Sequence, residues 1–160
     1  MILAGILLKL GGYGLLRLRA VILAGNLNLV IIFTRISIWG AFITSLICIR
    51  QIDMKSLIAY SSVGHMGLLI GGLINNRLIG WGGRYLIILG HGFVSSGLFR
   101  IANIIYEISS SRRLYLRKGF LSVTPSLSLL FFILCCINIG APPSINLLAE
   151  IRLLRRVLKS

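Results

Sequence analysis

Apolar residues run almost unbroken through five stretches of this chain, and most charged residues gather between them. The stretches are Met1 to Leu16, Ile36 to Ile49 (or from Leu29 if its start is drawn earlier), Ser56 to Ile74, Tyr85 to Tyr106, and Pro125 to Leu148. About 20 apolar residues cross a bilayer as one helix. The pattern therefore predicts an all-α membrane protein of about five transmembrane helices, with residues 1–160 forming a single transmembrane domain. The first stretch is short for a full crossing.

The fifth stretch is interrupted by Gly140-Ala141-Pro142-Pro143. Proline has no N–H and clashes with the carbonyl four residues back, so Pro142 and Pro143 should free the carbonyls of Asn138 and Ile139. Free carbonyls at membrane depth are tolerated only inside protein or along a wet cavity. Transporters place such broken helices at ion sites; a plain structural kink is the competing reading.

Composition agrees with the pattern. The chain is 57% hydrophobic with a mean hydropathy of +0.96, beyond the ~45–50% apolar content of soluble domains. Three acidic residues, Asp53, Glu107 and Glu150, stand against 17 Lys and Arg, a net charge of +14. In a soluble chain that excess would suggest nucleic acid. Here the cations lie mostly between apolar runs and are not interleaved with aromatics that could stack bases. Anionic lipid is thus the expected partner, with no nucleic acid and no soluble substrate. Alternate connections carry five basic residues against six, so charge asymmetry does not resolve orientation in the membrane.

Cys48, Cys135 and Cys136 lie in apolar segments without metal-ligand spacing, which predicts free thiols and no metal site. Met1-Ile2-Leu3-Ala4-Gly5 has no charged lead-in, so no signal peptide is expected. The chain begins inside an apolar run, as a segment of a longer protein would. Lys55 reads as a helix-start residue with Asp53 as its N-cap. Gly71-Gly72 and Gly82-Gly83 read as close packing or turns. No phosphate loop, nucleophile elbow or dinucleotide fingerprint is visible.

Four ionisable residues interrupt the apolar stretches: Lys9, His65, His91 and Glu150. A charge at the bilayer centre costs roughly 2.5–3.5 kcal/mol on insertion scales. Each has a polar residue four positions away, on the same helical face: Tyr13 for Lys9, Ser61 for His65, Ser95 for His91 and Asn146 for Glu150. Histidine exchanges protons near neutral pH. Desolvation works against the charged forms of lysine and glutamate alike, and a charge on another helix restores them. The four are candidates for a proton path. The competing readings are hydrogen-bonded packing histidines, a Lys9 that snorkels to an interface, and a Glu150 paired with Arg152 at the surface.

Several strings resemble the subunit 4 family of NADH dehydrogenase, the antiporter-like membrane subunits of respiratory complex I. They are Leu7-Leu8-Lys9-Leu10-Gly11-Gly12-Tyr13-Gly14-Leu15-Leu16-Arg17, the run from Gln51 to Met66, Gly90-His91-Gly92, Ser95-Ser96-Gly97-Leu98-Phe99, Ala102-Asn103, Tyr106-Glu107, and Ala141 to Glu150. Their order and spacing fit over nearly the whole chain.

The resemblance implies a proton-translocating subunit built as an inverted-repeat antiporter-like bundle. This chain would correspond to helices 8 to 12 of about fourteen. Lys9 matches a connecting lysine, His65 and His91 match histidines of a central hydrophilic axis, and Glu150 matches the acidic residue of the broken helix. A glutamate and a lysine that the family carries further upstream lie outside this chain. NADH, flavin, iron–sulfur clusters and quinone would belong to other subunits, leaving no cofactor and no redox centre here. The expected partners are other complex I membrane subunits, and the expected location is the mitochondrial inner membrane, as a multi-pass protein.

Arg84, Arg100, Arg152 and Arg155 fall where that family usually has small or neutral residues. Reading an invertebrate mitochondrial gene with the wrong code would print Arg for Ser at AGA and AGG, and Ile for Met at AUA. Only three Met in an Ile-rich chain fit that reading. Three functions stay open: a proton-pumping subunit coupled to quinone reduction, a subunit of a cation/proton antiporter, and a structural membrane subunit whose charges only pack helices.

Overall fold

The computed structural model describes residues 6–22, 27–74, 79–116 and 119–157. Among the described residues there are seven α-helices: α1 (Leu8–Ile22), α2 (Leu27–Ile49), α3 (Met54–Ile74), α4 (Ile79–Ser109), α5 (Phe120–Val123), α6 (Pro125–Ile139) and α7 (Ile145–Val157). A short 3₁₀ turn, Leu114–Leu116, precedes α5. Among the described residues there is no strand, only an isolated bridge between Asp53 and Arg113.

The helices outrun the apolar stretches at several ends. α1 continues to Ile22, so Arg17 and Arg19 lie within a helix instead of in a loop. α4 begins at Ile79 and takes in Arg84. Arginine is a good helix former, so a charge that ends an apolar run need not end the helix. Met1–Gly5, Arg77, Arg117 and Lys118 lie outside the described residues. Two helices are long and apolar enough to cross a membrane, Asn28–Ile49 and Gly82–Ser109, and Pro125–Ile139 is a shorter apolar helix.

Exposure supports an apolar surrounding. Trp39, Phe42 and Ile43 of α2 are exposed, as are Leu129, Leu130, Phe132 and Ile133 of α6. None of the α6 residues is buried. A soluble monomer rarely leaves so much contiguous apolar surface in water.

Small residues set the close contact of α2 with α3. A Cβ on Gly67 would lie 3.2 Å from the Ala41 Cβ and 3.2 Å from the Ser37 carbonyl oxygen. At Gly71 it would lie 2.7 Å from Ser37 Oγ. Lipid tails are as apolar as leucine, so membrane helices associate through this kind of fit.

Two apolar clusters hold the bundle. One joins Met54 and Ile58 of α3 to Val94, Leu98, Ile101, Ala102 and Ile105 of α4, with Leu127, Phe131 and Leu134 of α6 packed against it. The other joins Met66 and Leu69 of α3, Ile87 of α4, and Ala149 and Leu153 of α7. At the first cluster's end, Lys55 Nζ donates to Asn103 Oδ1 at 3.0 Å and lies 5.2 Å from the Tyr106 ring centre. The Asp53 carbonyl accepts the Leu57 N–H at 3.0 Å, which puts Asp53 at the N-cap position just before α3.

α6 ends at Gly140, whose φ of 83° suits a residue without a Cβ. Ala141 N–H bonds back to the Cys136 carbonyl at 2.9 Å. The Pro142–Pro143 bond is cis, and the chain re-enters helix at Ile145.

Candidate functional site

The four ionisable residues lie in one row between the two apolar clusters. Lys9, 6% exposed at the start of α1, donates from Nζ to Ser95 Oγ on α4 at 3.0 Å. Ser95 Oγ donates in turn to the Gly92 carbonyl at 3.3 Å. One turn back along α4 stands His91, 1% exposed. Its ring centre is 4.9 Å from that of His65 on α3. His65 Nδ1 is 3.0 Å from Glu150 Oε1 on α7. The row thus passes Lys9, Ser95, His91, His65 and Glu150, with four helices contributing.

Glu150 rests against the break. A Cβ on Gly140 would come within 3.3 Å of Glu150 Oε2. One carboxylate oxygen therefore faces His65 while the other overlies the end of α6. The His65–Glu150 separation is that of an ion pair, yet Oε1 makes no contact with hydrogen-bond angles.

The pairings within single helices are replaced by pairings between helices. Lys9 reaches Ser95, and Tyr13 is exposed with Arg17 over its ring at 5.9 Å. Ser61 Oγ donates to the Ile58 carbonyl, and Asn138 Nδ2 approaches it at 3.5 Å. Asn146 donates to the Ile137 carbonyl at 3.2 Å and not to Glu150. Equal faces at i and i+4 leave a side chain free to choose a neighbouring helix instead, and these helices pack closely enough to offer one. The carbonyl captured at the break is Ile137's, one residue before the two expected from the prolines.

Asn138 and Asn146 are the residues that the sequence pattern underrated. Among the described residues, both ring nitrogens of His91 and the amide oxygens of Asn138 and Asn146 are buried without a hydrogen-bond partner in the protein. Buried polar atoms are normally satisfied, so their concentration around one histidine marks a polar seam, not random packing. A 580 Å³ cavity opens beside it at the break, lined by Phe93, Phe132, Pro142, Pro143, Ser144 and Asn146 among others. The cysteines are free thiols. Among the described residues no three of His, Cys, Asp and Glu converge as a metal centre requires.

Arg84 is fully buried, whereas Arg100, Arg152 and Arg155 are exposed. Arg100 therefore faces away from the row.

These features define a helical membrane protein with a line of ionisable side chains inside its bundle, and comparison with known proteins gives its family. The model of the NADH:quinone oxidoreductase/Mrp antiporter transmembrane family matches residues 1–160, and the chain belongs to that family. It is 50% identical over 157 residues to NADH-ubiquinone oxidoreductase chain 4 of Aedes aegypti, covering 98% of this chain and 35% of that relative. The chain 4 protein of Ceratitis capitata is likewise 50% identical over 157 residues, 98% of this chain and 35% of its own length. That of Locusta migratoria is 48% identical over 158 residues, 99% of this chain and 36% of its own. The chain spans about a third of the length of the curated relatives it matches.

Proposed function

We propose that this chain is part of a proton-translocating membrane subunit of NADH:ubiquinone oxidoreductase, and that Lys9, His91, His65 and Glu150 carry the protons. The observation that supports the reading is the continuity of the row: 3.0 Å from Lys9 to Ser95, 4.9 Å between the imidazole rings, and 3.0 Å from His65 to Glu150. A packing role needs each buried charge to be satisfied locally. It does not need four of them, drawn from four helices, to stand in one line.

In this mechanism the histidines accept protons from one neighbour in the row and release them to the next. Glu150, held between His65 and the end of α6, takes a proton from one side and yields it to the other as α7 shifts at the break. Lys9 connects the row to the part of the protein that precedes this chain. The five helical spans then form one domain, residues 1–160, of an inverted-repeat bundle. It would sit in the mitochondrial inner membrane among other complex I membrane subunits and anionic lipid. NADH, flavin, iron–sulfur clusters and quinone would be held by other subunits, so this chain contributes no redox centre. The family also includes Mrp antiporters, and a sodium-dependent flux through the same row would favour that second reading.

The test uses the full-length protein in its assembled complex, sealed in membrane vesicles. His65→Ala, His91→Ala and Glu150→Gln should each slow proton transfer along the row by roughly 10²–10⁴-fold, the scale of lost proton-transfer groups, and so lower the protons moved per electron. Normal pumping in all three variants would leave only a structural role.

A further inference from the structure

Asn146 lies in the row's wall without belonging to the row. It is 1% exposed and sits one turn before Glu150 on α7. Its Nδ2 donates across the break to the Ile137 carbonyl, which also accepts the Gly140 N–H at 3.2 Å. The side chain thus ties the first turn of α7 to the last turn of α6.

Shape fixes the other end of the amide. A Cβ on Gly90 would stand 2.6 Å from Asn146 Oδ1, closer than real Cβ atoms come. Gly90 leaves a notch in α4, next to His91, and the amide oxygen occupies it. That oxygen has no hydrogen-bond partner among the described residues. A buried acceptor left unsatisfied loses the hydrogen bonds it would make in water. Leucine, of the same branched outline, would occupy the notch without that loss but has no N–H to give the Ile137 carbonyl.

We propose that Asn146 is a positioning residue for Glu150: held between the Ile137 carbonyl and the Gly90 notch, it fixes the rotation of α7 and so keeps the Glu150 carboxylate at His65. A helix advances 100° per residue, so positions four apart lie about 40° from one another on one face. Locking residue 146 therefore locks residue 150. Turning the Glu150 backbone away from His65 then requires the amide to leave its notch. The inference rests on the reading of Glu150 as a proton carrier.

A double-mutant cycle in the full-length protein, within its assembled complex, tests it. Gly90→Ala pushes the amide out of the notch, and Asn146→Ala removes it. Each should slow proton transfer along the row roughly tenfold to a hundredfold, the scale expected when a reacting group shifts by about 1 Å, and so lower the protons moved per electron. The double variant should be no worse than Asn146→Ala alone, because both changes undo one contact. Asn146→Leu, which keeps the branched outline and removes the amide, should preserve assembly and electron transfer while displacing the pH profile of pumping.

Additive losses in the cycle would overturn the Gly90–Asn146 seat. A wild-type pH profile in Asn146→Leu would overturn the positioning role and leave plain packing. Failure of the underlying reading shows elsewhere. If Glu150→Gln pumps normally while Gly90 and Asn146 remain coupled in the thermal stability of the complex, the contact stands but its role in pumping does not.

Discussion

Ser95→Ala isolates the link between Lys9 and the histidines. The Ser95 hydroxyl gives its hydrogen to the Gly92 carbonyl at 3.3 Å, which leaves its lone pairs for Lys9 Nζ at 3.0 Å. The serine is therefore an acceptor for lysine in either protonation state, but not an equal one. A hydrogen bond to a charged group contributes about 1.5–3 kcal/mol and one between neutral groups about 0.5–1.5. Alanine removes the whole of the first from the ammonium form and the smaller amount from the amine. The difference, about 1–1.5 kcal/mol, is a factor of roughly five to ten in the balance between the two forms. Ser95 is 1% exposed and Lys9 6%, so solvent screening takes little of it. The assay is proton pumping against electron transfer in vesicles carrying the assembled complex. Ser95→Ala should reduce pumping several-fold at unchanged electron transfer, and Ser95→Thr, which keeps the hydroxyl, should restore most of it. Unaltered pumping in Ser95→Ala, with normal assembly, would refute the claim that this bond couples Lys9 to the row.

Two further outcomes follow from other parts of the molecule. Gly67→Ile should part α2 from α3, because the wall facing Gly67 is partly backbone; the overpacking cost of about 1–3 kcal/mol should appear as lower thermal stability, whereas Gly11→Ala, with nothing within 4 Å of its Cβ, should be silent. Sequencing the gene should find AGA or AGG at Arg84, Arg100, Arg152 and Arg155, and CGN codons at Arg84, Arg100 and Arg152 would establish genuine arginines and end the genetic-code explanation.

The helices and the four ionisable residues were legible because both signals are local. An apolar run of bilayer length is readable from neighbouring residues, as is a lone Lys9 or Glu150 inside it. Gly140-Ala141-Pro142-Pro143 likewise announces a break through backbone chemistry alone. The partners were not legible. Spacing by four joined Lys9 to Tyr13 and Asn146 to Glu150, yet Lys9 bonds Ser95, 86 positions away, and Asn146 reaches Ile137. Which neighbour a side chain meets depends on how helices are rotated against one another. That rotation is set by such fits as Gly67 on Ala41 and Gly90 on Asn146, which no single helix encodes. Asn138 and Asn146 were underrated for the same reason: an asparagine reads as an ordinary polar residue until its burial is known.

The two apolar clusters have a consequence for the row between them. Met54, Ile58, Leu98 and Ile101 lie to one side of His65 and His91 along the bundle, and Leu69, Ile87 and Leu153 to the other. Each is a dry plug of low dielectric, across which a hydrated proton would have to shed its water. The polar row is thus sheathed lengthwise by hydrocarbon, as the core of a wire is by its insulation. Under the proposed function the sheath is what keeps protons from leaking straight through the membrane, and the integrity of its leucines and isoleucines matters as much as the histidines of the row.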